Sequence, residues 1–146
     1  MDGTFINRQH YESVALGLFR KVPLMISNVL DEGMFFIGAR IIWGDMTPTS
    51  LKTRLLPYFT KEDHAQLDNL YPTENSVKQY HNLSNVLSDY YFHCPSRRMA
   101  IAYRNQGLPV TRTFFKHFLS AASAISQIKN MGVVHGSDIP FWVYYN

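Results

Sequence analysis

Two short segments of the chain have the apolar, β-branched and aromatic character of strands, and helical patterns lie between and before them. Residues 22–27 read as a buried strand, and residues 108–115 as a second one. Apolar side chains recur at helical spacing from His10 to Arg20 and again from Glu74 to His93. Because helices separate the two strands, the pattern predicts an α/β protein in which the strands pair in parallel.

Breaker residues and helix-start signals refine this picture. Residues 50–59 and 61–70 are predicted to form two short helices, and Thr60-Lys-Glu-Asp63 has the form of a capping box at the start of the second. Pro95 is predicted to interrupt the long helix, which resumes from Ser96 to Asn105. The chain therefore reads as helices arranged around a small sheet.

Composition and charge narrow the classes of function. The 146 residues are 46% hydrophobic, which is enough for one domain with a core. The net charge of +3 is spread along the chain, with Arg97 and Arg98 as its densest pair, so we expect no nucleic-acid surface. The single cysteine, Cys94, excludes an internal disulfide and is expected to be a small buried thiol.

The sequence does not indicate where in or outside the cell the protein is located. Its first residues lack the charged start and apolar core of a signal peptide, and no apolar run approaches the roughly 20 residues of a membrane span. Asn82-Leu83-Ser84 is a glycosylation sequon, which has meaning only in the secretory pathway. Localisation is left open.

Two ionisable residues follow the strand-like segments. Glu32 lies in a polar turn that ends at Gly33, just after the first strand, where open α/β sheets place their chemistry. His135 lies between Val133-Val134 and Gly136, where a second strand-like run gives way to a loop. An acid followed far downstream by a histidine is the second half of the order Ser…Asp/Glu…His.

The segments around these residues resemble a known family. Ser27 to Phe36 and Gly132 to Phe141 resemble the acid and histidine segments of type-B carboxylesterases, the relatives of cholinesterases and lipases. Tyr91 to Arg97 and Leu108 to His117 resemble the segments between, and Asp2-Gly-Thr-Phe-Ile6 matches the family's lead-in. The resemblance implies a partial α/β-hydrolase fold, with residues 1–146 as one partial domain from the internal to C-terminal part of a larger hydrolase.

The resemblance also implies roles for individual residues. His135 corresponds to the general base and Glu32 to the acid that orients it, with Asp31 as the neighbouring alternative. Phe35 and Phe36 correspond to aromatic residues that line the substrate gorge, although adjacent aromatics are as readily explained by core packing. The cysteine that matches Cys94 pairs, in cholinesterase-like relatives, with one farther downstream.

Two parts of the family's machinery do not occur in this sequence. There is no Gly-x-Ser-x-Gly nucleophile motif and no His-Gly-Gly-type run for oxyanion-hole amides. In the family both lie upstream of the acid, so the expected partners are the missing N-terminal portion of the same domain and, in the complete enzyme, a small ester. The chain by itself is therefore expected to be inactive.

Other functions are less well supported. None of the six histidines forms a His-Glu-x-x-His motif, so we expect no metal site and no cofactor. Cys94 is a poor candidate nucleophile, because His93 beside it points elsewhere on a helix. The main alternative is a non-catalytic interaction or relic module from the cholinesterase-like superfamily, and the presence of both Glu32 and His135 argues against it.

Overall fold

The computed structural model describes residues 3–37, 53, 57, 59–72, 76–117 and 132–143 of the 146-residue chain. The order of the elements is as follows: α1 His10–Ala15, β1 Leu24–Val29, α2 Lys61–Leu70, α3 Ser76–Ser88, a π-helical turn Asp89–His93, α4 Cys94–Asn105, β2 Val110–Phe115 and α5 Ile139–Val143. Residues 34–37 are also helical. The architecture is mixed α/β with a small parallel sheet.

The sheet consists of β1 and β2, which pair in parallel from Leu24↔Val110 to Val29↔Phe115. Both strands begin one residue after a proline. The N–H of Leu24 donates to the carbonyl of Pro109 at 3.0 Å and opens the ladder. Because proline has no N–H, the predicted start of the first strand at residue 22 was too early by two residues. The predicted parallel pairing is confirmed.

The first helix is shorter than predicted, since α1 ends at Ala15 and not at Arg20. Gly17 adopts φ +69°, the left-handed conformation that commonly ends helices. Its N–H donates to Val14 O, and the N–H of Leu18 donates to Ser13 O at 2.7 Å. These two bonds form a Schellman cap, so the apolar pattern continues beyond the point where the helix stops.

Helix α2 starts as the sequence predicts. The Thr60 hydroxyl accepts a hydrogen bond from the N–H of Asp63, and the Asp63 carboxylate accepts one from the N–H of Thr60. The Thr60 hydroxyl also donates to Asp63 Oδ2 at 2.7 Å. This bond, followed by the one from the N–H of Thr60, lowers the pKa of Asp63 below its ordinary value, since both favour the charged carboxylate. The predicted helix over residues 50–59 falls mostly outside the described residues.

The long helix does not break at Pro95, so that prediction was wrong. Helix α3 runs through the π-helical turn Asp89–His93 into α4, which carries Pro95 in its first turn. The N–H of Cys94 donates to the carbonyl of Asp89, five residues back. Proline has no N–H to donate and interrupts the regular four-residue pattern of hydrogen bonds, so the five-residue spacing of the π-helical turn just before it lets the helix continue past Pro95.

Cys94 is exposed, so the expected buried thiol was also wrong. It lies at the start of α4, on the face that carries Arg97, Arg98 and Ile101 three, four and seven residues later. All four residues are exposed, so this stripe of the helix is not part of the core.

The core lies between α3 and the residues that follow β1. Ile37 and Leu83 form its centre, with Tyr80 and Leu87 packed against them. Ser84, the third residue of the sequon, is fully buried in α3. None of the helices among the described residues is long and apolar enough to cross a membrane.

Candidate active site

The turn after β1, residues 30–33, is called the acid turn. Its Glu32 is buried, and Glu32 Oε1 accepts hydrogen bonds from the N–H of Val29 at 3.0 Å and from Asn28 Nδ2 at 3.4 Å. A buried carboxylate requires such donors, because burial removes it from water. The bonds leave Glu32 Oε2 free to point away from the strand.

Helix α3 contacts the acid turn and holds it through hydrogen bonds. The N–H of Gly33 donates to Ser88 Oγ at 2.8 Å, and the Ser88 hydroxyl donates to Ser84 O at 2.8 Å. A Cβ atom at Gly33 would clash with Ser84 O and with Leu87 Cβ. Glycine is therefore required here, because it lets the acid turn lie directly on the helix backbone.

The histidine loop, residues 132–138, is joined to the acid turn through Asp31. The N–H of Asp31 donates to Val133 O at 2.9 Å, and Asp31 Oδ2 accepts from the N–H of Val133 at 2.7 Å. Gly132 adopts φ +75°, and a Cβ there would clash with the Asp31 carboxylate. Asp31, the alternative acid of the sequence analysis, thus holds the loop and does not face the histidine.

A second contact holds the far end of the histidine loop. Asp138 Oδ2 accepts hydrogen bonds from Ser27 Oγ at 2.8 Å and from Trp142 Nε1 at 3.1 Å. Ser27 lies in β1 and Trp142 in α5, so this carboxylate ties the loop to both elements. The loop is fixed on either side of His135.

Between these two contacts, Glu32 and His135 meet. Glu32 Oε2 lies 2.6 Å from His135 Nδ1, and the side chains are 5% and 46% exposed respectively. If the carboxylate is ionised, the hydrogen of this bond belongs to Nδ1, which leaves Nε2 with a lone pair. In the described part of the chain no side chain or backbone group bonds Nε2. The arrangement can therefore accept a proton from a group placed outside it.

Aromatic rings flank the imidazole. The Phe36 and Phe92 rings lie 5.5 and 5.0 Å from the His135 ring, centroid to centroid, and 5.9 Å from each other. Phe35 meets Phe36 edge to face at 5.6 Å. Both Phe35 and Phe36 remain about half exposed, so neither is a core residue. Open aromatic walls beside an exposed imidazole can bind an apolar group.

Of the residues selected from the sequence, Glu32, His135 and Phe36 come together. Phe35 contacts the Phe36 ring, which lies between it and His135. Sequence reasoning missed Phe92, which reaches the site from the π-helical turn. Its only signal was its place in the family-like stretch from Tyr91 to Arg97. Within the described ranges, no group of three or more His, Cys, Asp or Glu side chains could hold a metal ion.

Comparison with known proteins identifies relatives over the whole chain. The sequence model of the carboxylesterase family matches residues 1–146. Secreted lipase 4 of Gibberella zeae is 31% identical to this chain in an alignment that covers 68% of this chain and 20% of the lipase. Acetylcholinesterase 1 of Caenorhabditis elegans is 25% identical in an alignment that covers 97% of this chain and 26% of that enzyme.

The chain therefore spans about a fifth of the lipase and about a quarter of the acetylcholinesterase. The match includes the acid turn, the π-helical turn and the histidine loop, since it extends from the first residue to the last. The chain belongs to the carboxylesterase family.

Proposed function

We propose that this chain supplies the acid and the general base of a Ser-Glu-His triad in a serine carboxylesterase. The observation that carries the proposal is the 2.6 Å contact between buried Glu32 and half-exposed His135. In such a triad the acid fixes the tautomer of the histidine and stabilises the imidazolium that forms. Membership of the carboxylesterase family supports the same assignment.

The remaining parts of the triad belong to polypeptide outside these 146 residues. The sequence contains no Gly-x-Ser-x-Gly motif, so the serine and its oxyanion donors are supplied from elsewhere. His135 Nε2 accepts the serine proton as the oxygen attacks the ester carbonyl, and it returns that proton to the leaving alcohol. By itself the chain is expected to form no acyl-enzyme, because its sequence lacks the Gly-x-Ser-x-Gly nucleophile motif.

The substrate class follows from the walls of the site. Phe36 and Phe92 flank the imidazole, and Phe35 extends the same aromatic surface. Such a surface binds the apolar part of an ester and excludes water from the reacting carbonyl. We infer a small carboxylic ester as substrate, with Phe35 and Phe36 as binding residues.

The proposed activity implies a fold larger than the two described strands. In an α/β-hydrolase the acid and histidine follow neighbouring strands of a mainly parallel sheet, as Glu32 follows β1 and His135 lies after β2. We therefore propose that residues 1–146 are one partial α/β-hydrolase domain. Its N-terminal portion is the partner that covers the open edge of the sheet.

Histidine NMR tests the contact directly. In the 146-residue chain labelled with ¹⁵N-histidine, His135 is expected to carry its hydrogen on Nδ1. Glu32→Gln is expected to shift it toward a mixture of tautomers, because an amide no longer demands that hydrogen. Glu12→Gln, which removes an exposed carboxylate of α1, is the matched control and is expected to leave His135 unchanged. An identical His135 signal in wild type and Glu32→Gln contradicts the proposal.

Activity tests the complete machinery. In a chimera, residues 1–146 replace the matching segment of the Caenorhabditis elegans enzyme, and hydrolysis of p-nitrophenyl acetate is measured. His135→Ala is expected to lower kcat by about 10⁶-fold, as for other triad histidines. His10→Ala, in an exposed position of α1, is the control. A fluorophosphonate probe is expected to label the chimera but not the 146-residue chain, and labelling of the chain alone would refute the assignment.

A further inference from the structure

Beside the acid turn lies a second carboxylate–histidine pair, Asp89 and His93, in the π-helical turn. His93 Nδ1 lies 2.9 Å from Asp89 Oδ1. Asp89 Oδ2 accepts a 2.6 Å hydrogen bond from the hydroxyl of Tyr71, which follows α2. The four-residue spacing brings Asp89 and His93 to one side of the helix, and Tyr71 fixes the carboxylate from the other. The His93 ring is thereby oriented.

The other nitrogen of this ring reaches the end of β1. His93 Nε2 lies 2.9 Å from the carbonyl oxygen of Val29. A carbonyl only accepts, so Nε2 carries a hydrogen and donates it. The N–H of Leu30, in the same peptide group, donates to Phe115 O at 3.0 Å. The peptide group that begins the acid turn is therefore fixed at both its C=O and its N–H.

Val29 links this bond to the acid. Its N–H donates to Glu32 Oε1 at 3.0 Å, while its C=O accepts from His93. Glu32 and His93 thus hold the two backbone groups of one residue, which is almost completely buried. A change in the orientation of Val29 moves the donor that aligns Glu32, and with it the carboxylate oxygen that faces His135.

We propose that His93, oriented by Asp89, is a positioning residue for Glu32. This role rests on the proposed function, because it requires that Glu32 orient a catalytic His135. The His93 ring contacts Asp89, the Val29 carbonyl and Phe114, and its role does not involve bonding the candidate base. It acts through the Val29 carbonyl, and it keeps the acid turn in the geometry in which Glu32 Oε2 meets His135 Nδ1.

Packing alone does not account for a histidine at this position. The His93 ring lies 5.0 Å from the Phe114 ring, a contact that an apolar side chain would make equally well. An apolar residue would leave the carbonyl of buried Val29 without its donor, and an unpaired buried acceptor is strongly unfavourable. Asp89 Oδ1 lies beside Nδ1 and the Val29 carbonyl beside Nε2, so the ring is held between a carboxylate and the backbone. Both contacts are hydrogen bonds when both ring nitrogens carry a hydrogen.

Two conservative variants separate the two bonds of His93. His93→Gln carries an amide near the position of Nε2, so it keeps the donor to Val29 and loses the contact with Asp89. His93→Asn carries its amide near the position of Nδ1, so it keeps Asp89 and loses Val29. Both variants lose the same ring contact with Phe114, so their general effects on the stability of the protein are expected to be similar.

Two readouts are taken on the 146-residue chain: hydrogen exchange of the Val29 amide and the ¹⁵N-histidine spectrum of His135. His93→Asn is expected to speed exchange at Val29 by about tenfold and to shift His135 toward mixed tautomers. His93→Gln is expected to resemble wild type in both. Equal behaviour of the two variants, or the reverse order, overturns the positioning role.

The Glu32→Gln variant separates this inference from the proposed function. If Glu32→Gln leaves the His135 tautomer unchanged, the acid–base pair itself is wrong and the proposed function fails. If Glu32→Gln shifts His135 but His93→Asn does not, the pair stands and only the positioning role of His93 fails. A shift in both variants, with His93→Gln like wild type, supports both.

Discussion

The Glu32–His135 and Asp89–His93 pairs combine the same chemical groups in opposite ways. In the first pair the acid is 5% exposed and the histidine 46% exposed. In the second the histidine is 15% exposed and the acid 40% exposed. One ring nitrogen of His135 contacts its acid, Glu32. In His93 both ring nitrogens lie beside oxygen atoms, one of Asp89 and one of the Val29 carbonyl. A histidine can exchange protons with a substrate only where a nitrogen remains accessible, so burial and bonding distinguish the catalytic role proposed for His135 from the positioning role proposed for His93.

The supports of the two pairs differ as well. His135 lies on a loop that is tied down by the carboxylates of Asp31 and Asp138. His93 lies in a helical segment, where its position follows from the backbone of the π-helical turn. Single π-helical turns inside longer helices often occur at functional sites, because the wider turn redirects side chains. Here the turn directs Phe92 toward His135 and His93 toward Val29.

The largest expected difference between the pairs is in catalysis. In the chimera, Glu32→Gln is expected to lower kcat by about 10⁴-fold, the effect of removing the acid of a triad. Asp89→Asn removes one charge from the second pair and is expected to lower kcat by about tenfold, through a weakened hydrogen bond to His93. Steady-state hydrolysis of p-nitrophenyl acetate measures both. Equal losses would abolish the distinction between a catalytic and a positioning pair.

The next effect concerns the loop that carries His135. Gly132→Ala places a side chain at φ +75° and against the Asp31 carboxylate, whereas Gly107→Ala has a similar φ of +70° with open space around it. Gly107→Ala is expected to destabilise the chain by about 1–2 kcal/mol from backbone strain alone. Gly132→Ala is expected to lose about a further 1–3 kcal/mol from the clash.

Urea denaturation measures these two free energies of unfolding, and the difference between them isolates the contact between Gly132 and Asp31. The ¹⁵N-histidine spectrum of the same variants is expected to change for His135 only in Gly132→Ala. Equal destabilisation by both substitutions would show that Asp31 does not hold the histidine loop closely.

The sequence is most informative where local rules decide the outcome. The parallel strands, the capping box at Thr60 and the turn that carries Glu32 all follow from hydrophobic patterns, prolines and a glycine within a few residues. The pairing of Glu32 with His135 could be anticipated from the order of the two residues and from the resemblance to the carboxylesterase family. These predictions rest on short stretches of sequence.

The sequence is uninformative where distant segments share a contact that neither residue order nor the family resemblance indicates. Asp89 and His93 have the spacing of a helical pair, but their contacts with Tyr71 and Val29 join residues 18 and 64 positions apart. Pro95 suggests a break, whereas the π-helical turn accommodates it without one. Cys94 reads as a buried thiol until the direction of α4 is known. The hydrophobic and polar pattern of the sequence does not indicate these contacts, the continuous helix or the exposure of Cys94.

The smallest expected effect concerns Tyr71, whose hydroxyl donates to Asp89. Burial, followed by the hydrogen bond to Asp89, raises the pKa of Tyr71 above its ordinary value of 10.0. The folded state therefore keeps the Tyr71 proton at a pH where the unfolded chain has lost it. This contribution to stability is complete below about pH 10 and declines as the pH rises from there toward the raised pKa.

Tyr71→Phe removes the phenolic proton, and with it the dependence of folding stability on pH that this proton causes. The thermal stability of wild type is expected to fall more steeply than that of Tyr71→Phe between about pH 9 and pH 11, because only wild type has Tyr71 to ionise on unfolding. Tyr11→Phe, which alters an exposed tyrosine of α1, is the matched control and is expected to follow wild type. Parallel curves for wild type and Tyr71→Phe would mean that the Tyr71 hydroxyl is not held by Asp89. The second pair would then be anchored on one side only, and His93 would have less support for its hold on Val29 than the geometry implies.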